Sequence, residues 1–188
     1  MTTLDTSRRA LGIVLAVAAT MVLPLSAAAA DSVTQAITAG TRTASVANLT
    51  LASVAYSHSA QTSTGSMTLT ADDSTGSNLG WNVTILSSAF AYSGASNGTA
   101  IPAANFTLTS AAAPATTAGQ SVDTVGGPMV PLVSPVGTLD SARKTLQALV
   151  LFGNGTYTQA VGVSLGIPAQ SAAGTYTGTL TTSMTAAP

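Results

Sequence analysis

Cysteine is absent from this chain of 188 residues. No disulfide can staple it, no thiolate can act in it, and no lipid can be attached through a cysteine. Charge is nearly as scarce. Charged residues are 6% of the chain and the formal net charge is −1, where soluble domains carry about 25% charged residues. Glutamate is missing, and lysine, histidine and tryptophan occur once each, as Lys144, His58 and Trp81. Clustered Lys and Arg are what nucleic acid and anionic lipid surfaces need, so neither is an expected partner. General acids, bases and activated nucleophiles are too few to suggest an enzyme.

Thr, Ser and Asn supply the polarity instead. The chain opens with Arg8-Arg9, an apolar run from Ala10 to Leu25, and the small residues Ser26 to Ala30. This is the layout of a secretory signal peptide, expected as a helix over residues 1–30 and cut after Ala30. The apolar run is shorter than the ~20 residues of a spanning helix. No later stretch is long and apolar enough to span, so no membrane contact is expected after cleavage. Residues 31–42, DSVTQAITAGTR, read as a flexible leader.

Beyond the leader the pattern is that of strands. Residues 43–56 suggest one long or two short strands. Residues 57–65 read as a polar connection. Residues 66–71 alternate with Met67, Leu69 and Ala71 inward, and residues 72–80 form a polar turn. In residues 81–86, Trp81, Val83 and Ile85 share a face. Residues 105–109 place Phe106 and Leu108 inward. Residues 110–141, with Pro114, Pro128, Pro131 and Pro135, read as a long inserted loop containing an extended piece at 128–136. A helical turn is expected near 139–145, then a buried strand or short helix over 146–152. Asn154-Gly155 suggests a hairpin turn. Residues 157–167 form a strand with Val161, Val163, Leu165 and Ile167 inward. The last stretch alternates from Thr175 to Thr185, with Tyr176, Gly178, Leu180, Thr182 and Met184 on one face. Many short strands without helical periodicity predict an all-β antiparallel β-sandwich of Ig-like or Greek-key type; a closed barrel is the alternative.

Three stretches carry a family likeness: Asn78 to Thr84 (NLGWNVT), Thr99 to Ala103 (TAIPA), and Ala173 to Leu180 (AGTYTGTL) followed by the end near Pro188. Together they resemble the WxL-type surface domain of Gram-positive and related bacteria, over about residues 41–188. The resemblance implies secretion, non-covalent attachment to the cell wall with peptidoglycan as ligand, and participation in surface complexes. The chain departs from the family pattern twice. Trp81-Asn82-Val83 stands where Trp-x-Leu is expected, and the closing strand, Leu180 to Met184, has no Trp.

Trp81 is read two ways. It is an aromatic platform for a sugar ring, or a core residue sharing its face with Val83 and Ile85, which the alternation favours. With Asn82, Tyr92 and Tyr176 it makes the candidate binding set, since neutral glycan is read by stacking and hydrogen bonds. His58 has no partners at ligand spacing and reads as a loop residue. Asp72-Asp73 read as turn formers rather than calcium ligands. Lys144 reads as solvated or paired with Asp140. No catalytic residue, metal or cofactor is expected.

The expected protein is a secreted, wall-associated single domain over residues 43–188 that binds peptidoglycan or associated glycan. The alternative is a structural or adhesive subunit of a surface layer or filament. In that case the leader adds as a strand to a neighbour's edge through Val33 and Ile37.

Overall fold

The structure is a computed structural model that describes residues 32–133 and 135–186. The expected signal segment, residues 1–30, lies outside the described residues. In chain order the strands are β1 (Arg42–Val46), β2 (Gln61–Asp73), β3 (Trp81–Ser87), β4 (Ala91–Ser93), β5 (Phe106–Ala111), β6 (Ala115–Gly119), β7 (Gly137–Thr138), β8 (Arg143–Ala148), β9 (Gly155–Ile167), β10 (Thr175–Thr177) and β11 (Leu180–Ala186). A 3₁₀ turn, Ala103–Asn105, precedes β5. The chain is an all-β antiparallel sandwich.

β2 and β9, of 13 residues each, pair along their whole length, Gln61 opposite Ile167 and Asp73 opposite Gly155. β1 flanks β2. The other edge of β9 is shared: β5 takes its second half and β6 its first. β7 extends the sheet beyond β5. The smaller sheet has β3 at its centre between β11 and β8. β4 and β10 form a separate two-stranded ribbon.

The alternation explains the two layers. Met67, Leu69 and Ala71 of β2, Phe106 and Leu108 of β5, and Tyr157, Val161, Val163 and Leu165 of β9 are buried on one side. Trp81, Val83 and Ile85 of β3, with Leu146 and Ala148 of β8, are buried on the other. All belong to one continuous core. Each large aliphatic side chain sealed there contributes roughly 1.5–3 kcal/mol.

Several expectations change. The closing strand keeps its alternation, but Gly178 and Thr179 divide it, so β10 joins the ribbon and β11 joins the small sheet. The polar connection at 57–65 is half strand, because β2 begins at Gln61. Residues 43–56 yield one short strand and no second one. The long loop 110–141 contains β6 and β7, which find partners on β9 and β5. No helical turn forms at 139–145: a hydrogen-bonded turn at 139–140 leads into β8. The apolar run 146–152 is not one buried element. β8 stops at Ala148, and Leu149, Val150 and Leu151 are exposed. Asn154-Gly155 is a crossover between sheets rather than a hairpin, since β8 pairs with β3 and β9 with β2. Lys144 Nζ lies 3.5 Å from Gln147 Oε1. Among the described residues the one ion pair is Arg42–Asp73, not Lys144–Asp140.

Candidate functional site

After β1 the chain leaves the sheet and runs as a strap, residues 47–60, without regular structure. Its inward residues are Leu49 and Leu51, half-buried. They lie over Gly65 of β2, where an added methyl would stand 2.8 Å from Leu51 Cδ2. The strap therefore needs a residue without a side chain beneath it. Its fastenings are few. Ala47 N–H donates to Thr68 O at 3.1 Å, Ser63 Oγ to Ala52 O at 3.0 Å, and Gln170 N–H to Ser57 O at 2.9 Å. Among the described residues most of its backbone donors and acceptors have no protein partner.

Opposite the strap stands the β4–β10 ribbon. Tyr92 faces Tyr176 across it, with ring centroids 5.3 Å apart and planes at 58°. Such aromatic pairs add about 0.5–1.5 kcal/mol beyond burial. Both rings are pinned at their far ends. Tyr92 donates its hydroxyl to Ala173 O at 2.9 Å and accepts Ser96 N–H at 3.0 Å, while Tyr176 donates to Ala172 O at 3.0 Å. Gly94, Gly98 and Gly174 collar Tyr92, and a methyl on any of them would overlap its ring. The small residues of AYSGASNG and AAGTYTG are what allow the pair to close.

Strap and ribbon enclose a groove of about 650 Å³. Its floor is apolar, from Phe90, Ile101, Leu165 and Ile167. Tyr56 and Tyr176 line its sides, with Ser53, Ser57, Ser171 and Thr175. Among the described residues no charged side chain lines it. Tyr56 is 57% exposed, and His58 meets its ring edge-on at 5.2 Å. A smaller hollow of about 410 Å³ adjoins it, sharing Leu49, Leu51 and Phe90. Two aromatic faces, several hydroxyls and open backbone groups can stack on and hydrogen-bond a neutral ligand, and no described side chain there forms an ion pair.

The four candidate residues separate. Tyr92 and Tyr176 come together at the ribbon. Trp81 is fully buried, and its indole N–H donates to Gly153 O at 2.9 Å, so it has no free face for a sugar. Of its two readings, the core one describes its place. Asn82 is half-exposed on the outer face of the small sheet, between Thr185 and Gln147, at the end of β3 away from the groove. Tyr56 was missed as a lining residue. It sits in TLASVAY, whose alternation suggests a paired strand rather than the wall of a groove.

The acidic residues are engaged elsewhere. Asp72 accepts from Ser74 Oγ and Thr156 Oγ1, and Asp73 from Arg42 Nε, Thr75 N–H and Thr75 Oγ1. Among the described residues no three His, Cys, Asp or Glu side chains gather to hold a metal. Among the described residues two groups have displaced pKa values, both far from the groove. Backbone N–H groups of Gly126 and Val125 lower that of Asp123. Burial, and then the charge of Asp73, raise that of Tyr157.

No protein family, curated protein or solved structure matches the chain.

Proposed function

We propose that the protein is a secreted surface module that binds the neutral sugar rings of a cell-wall polymer, peptidoglycan or an associated glycan, in the groove between the strap and the β4–β10 ribbon. The observation that carries this reading is the lining: two tyrosines, several hydroxyls and no charged side chain. Sugar rings offer apolar faces to aromatics and hydroxyls to open backbone groups, and need no ion pair. The resemblance to WxL-type domains and the signal-like N-terminus favour the same compartment.

Co-sedimentation with purified sacculi tests it. The wild-type chain pellets with the sacculi, and Tyr176→Ala and Tyr56→Ala each reduce the pelleted fraction while the circular dichroism stays unchanged. Failure of the wild-type chain to pellet overturns the reading.

A second reading, a subunit of a surface layer or filament, rests on Val33 and Ile37. These side chains ahead of β1 are 99% and 93% exposed. A strand added to a neighbour's edge would cover them. Light scattering with and without residues 31–39, a truncation that spares Gly40, Thr41 and Arg42 and their bonds to Ser74 and Asp73, decides it: assembly that vanishes on truncation supports strand addition, and a monomer in both forms discards it.

A further inference from the structure

The end of the sandwich opposite the groove is closed by three loops, residues 74–80, 120–127 and 149–154. They meet through backbone hydrogen bonds. Leu151 N–H donates to Asn78 O at 2.9 Å, Leu149 N–H to Gly126 O at 2.8 Å, and Gln120 N–H to Asn154 O at 2.8 Å. On this tip stand Leu79, Val122, Val125, Leu149, Val150 and Leu151, between 37% and 77% exposed. In a chain with so regular an inward–outward alternation, six outward aliphatic side chains in one place call for a reason.

Two further observations bear on what covers them. First, much of the polar backbone around them is paired internally. Besides the bonds above, Gln120 Nε2 donates to Leu151 O at 3.3 Å, and Phe152 N–H donates to Leu149 O at 3.1 Å. Asp123 is the one ionisable residue in the three loops. Its Oδ1 accepts the N–H groups of Val125 and Gly126 at 2.8 and 2.6 Å. Backbone groups already paired lose least on entering an apolar medium, whereas the ionised carboxylate of Asp123 has to stay at the level of the headgroups. Second, Leu151 is held at φ +74°. A branched side chain costs about 1–3 kcal/mol in that region, which glycine occupies freely. Stability alone would favour glycine there; an outward leucine needs a use.

We propose that this tip inserts shallowly into the acyl region of an uncharged or zwitterionic lipid surface. The charge pattern selects that partner. The loops carry no free cation, so nothing draws them to anionic headgroups. The composition argues against a protein partner: interface anchors are typically Tyr, Trp and Arg, and the tip exposes none. Nor do six part-exposed side chains on loop ends reach the roughly 800 Å² per partner buried in a stable dimer. The expectation of no membrane contact rested on the lack of a spanning segment and of basic runs; loop insertion requires neither. The groove and the tip lie at opposite ends, so one molecule could hold polymer and lipid at once.

Flotation with phosphatidylcholine vesicles tests this, using residues 32–188, which contain every described strand and the whole described core. The fragment floats with the vesicles, equally at low and high salt. Leu151→Gly raises the urea midpoint, because it relieves the backbone, yet lowers partitioning about tenfold. Val125→Ser with Leu151→Gly abolishes flotation, and Tyr176→Ala leaves it intact. Equal flotation of wild type and Leu151→Gly, no flotation of the wild type, or salt-sensitive binding confined to anionic vesicles would overturn the proposal. A dimer by light scattering that Leu151→Gly converts to monomer would also overturn it, in favour of a second copy. Loss of sacculus binding in Tyr176→Ala with unchanged flotation keeps the fate of this proposal separate from that of the groove.

Discussion

The indole N–H of Trp81 donates to the carbonyl of Gly153 at 2.9 Å, and Gly153 lies so close that a methyl on it would stand 2.6 Å from Trp81 Nε1. The contact joins the start of the central strand of the small sheet to the crossover that leads into β9. It satisfies the polar end of a fully buried aromatic, and it stations the chain where the sheets exchange strands. Gly153 also has φ +83°, open to glycine and strained for alanine. Gly153→Ala therefore destabilises by about 1–3 kcal/mol from backbone strain alone, more with the clash. Trp81→Phe leaves a buried carbonyl unpaired and costs about 1–3 kcal/mol. Urea denaturation checks both, as a lower midpoint at constant slope.

The Arg42–Asp73 pair ties β1 to β2 at 3.0 Å, with the aspartate side chain 1% exposed and the arginine 14%. Removing the cation leaves a buried carboxylate held only by Thr75. Arg42→Met is expected to cost about 3 kcal/mol, at the low end for a broken buried pair. Arg42→Met combined with Asp73→Asn recovers part of that loss. A double-mutant cycle in urea measures the coupling; strict additivity would contradict it.

Tyr157 sets an alkaline limit. Its pKa is raised above 10.0 by burial and by Asp73, so the unfolded chain releases that proton at lower pH than the folded one. Its contribution to stability is whole below about pH 10 and is lost as the pH rises through the raised value. The urea midpoint of wild type should fall more steeply above that pH than that of Tyr157→Phe. The variant itself starts lower by about 1 kcal/mol, since the hydroxyl donates to Gln120 O at 2.7 Å.

Gln159 and Thr145 are buried neighbours with opposite expectations. Gln159 Nε2 donates to Ala112 O at 2.8 Å and Thr145 O at 3.1 Å while its Oε1 has no partner, so Gln159→Leu strands two carbonyls, removes one unpaired acceptor and costs about 1–3 kcal/mol. Thr145 Oγ1 has no partner. Thr145→Val, of the same shape, is expected within about 0.5 kcal/mol of wild type or above it. Calorimetric midpoints of the two variants check the contrast.

The glycine collar around Tyr92 predicts a separation of binding from folding. Gly98→Ala or Gly174→Ala displaces Tyr92, and with it Tyr176, which lines the groove and packs only against the margin of the two-layer core. Sacculus binding should drop several-fold, with a thermal midpoint shift of only a few degrees, about what 1 kcal/mol produces in a domain of this size. A large loss of stability with binding retained would count against the groove as the site.

Much of the fold was legible because burial in strands repeats every second residue. Met67-Leu69-Ala71, Trp81-Val83-Ile85 and Val161-Val163-Leu165 face inward as their alternation demands, and even the divided closing stretch keeps its inward set. The scarcity of charge agrees with a groove whose described lining has no charged side chain. The partners of each strand were not legible. The run 146–152 is apolar throughout, so its sequence has no period to say where β8 stops, and only the shift into the next layer exposes Leu149 to Leu151. Tyr92 and Tyr176 are 84 positions apart, Tyr176 minus Tyr92, and nothing local couples them. The strap has the alternation of a strand and lacks one. Local sequence determines which way a side chain points, since that follows from backbone geometry one residue at a time. Which strands meet, and so which tyrosines pair on the ribbon and which leucines remain outside, is decided by long-range packing of two sheets on one core.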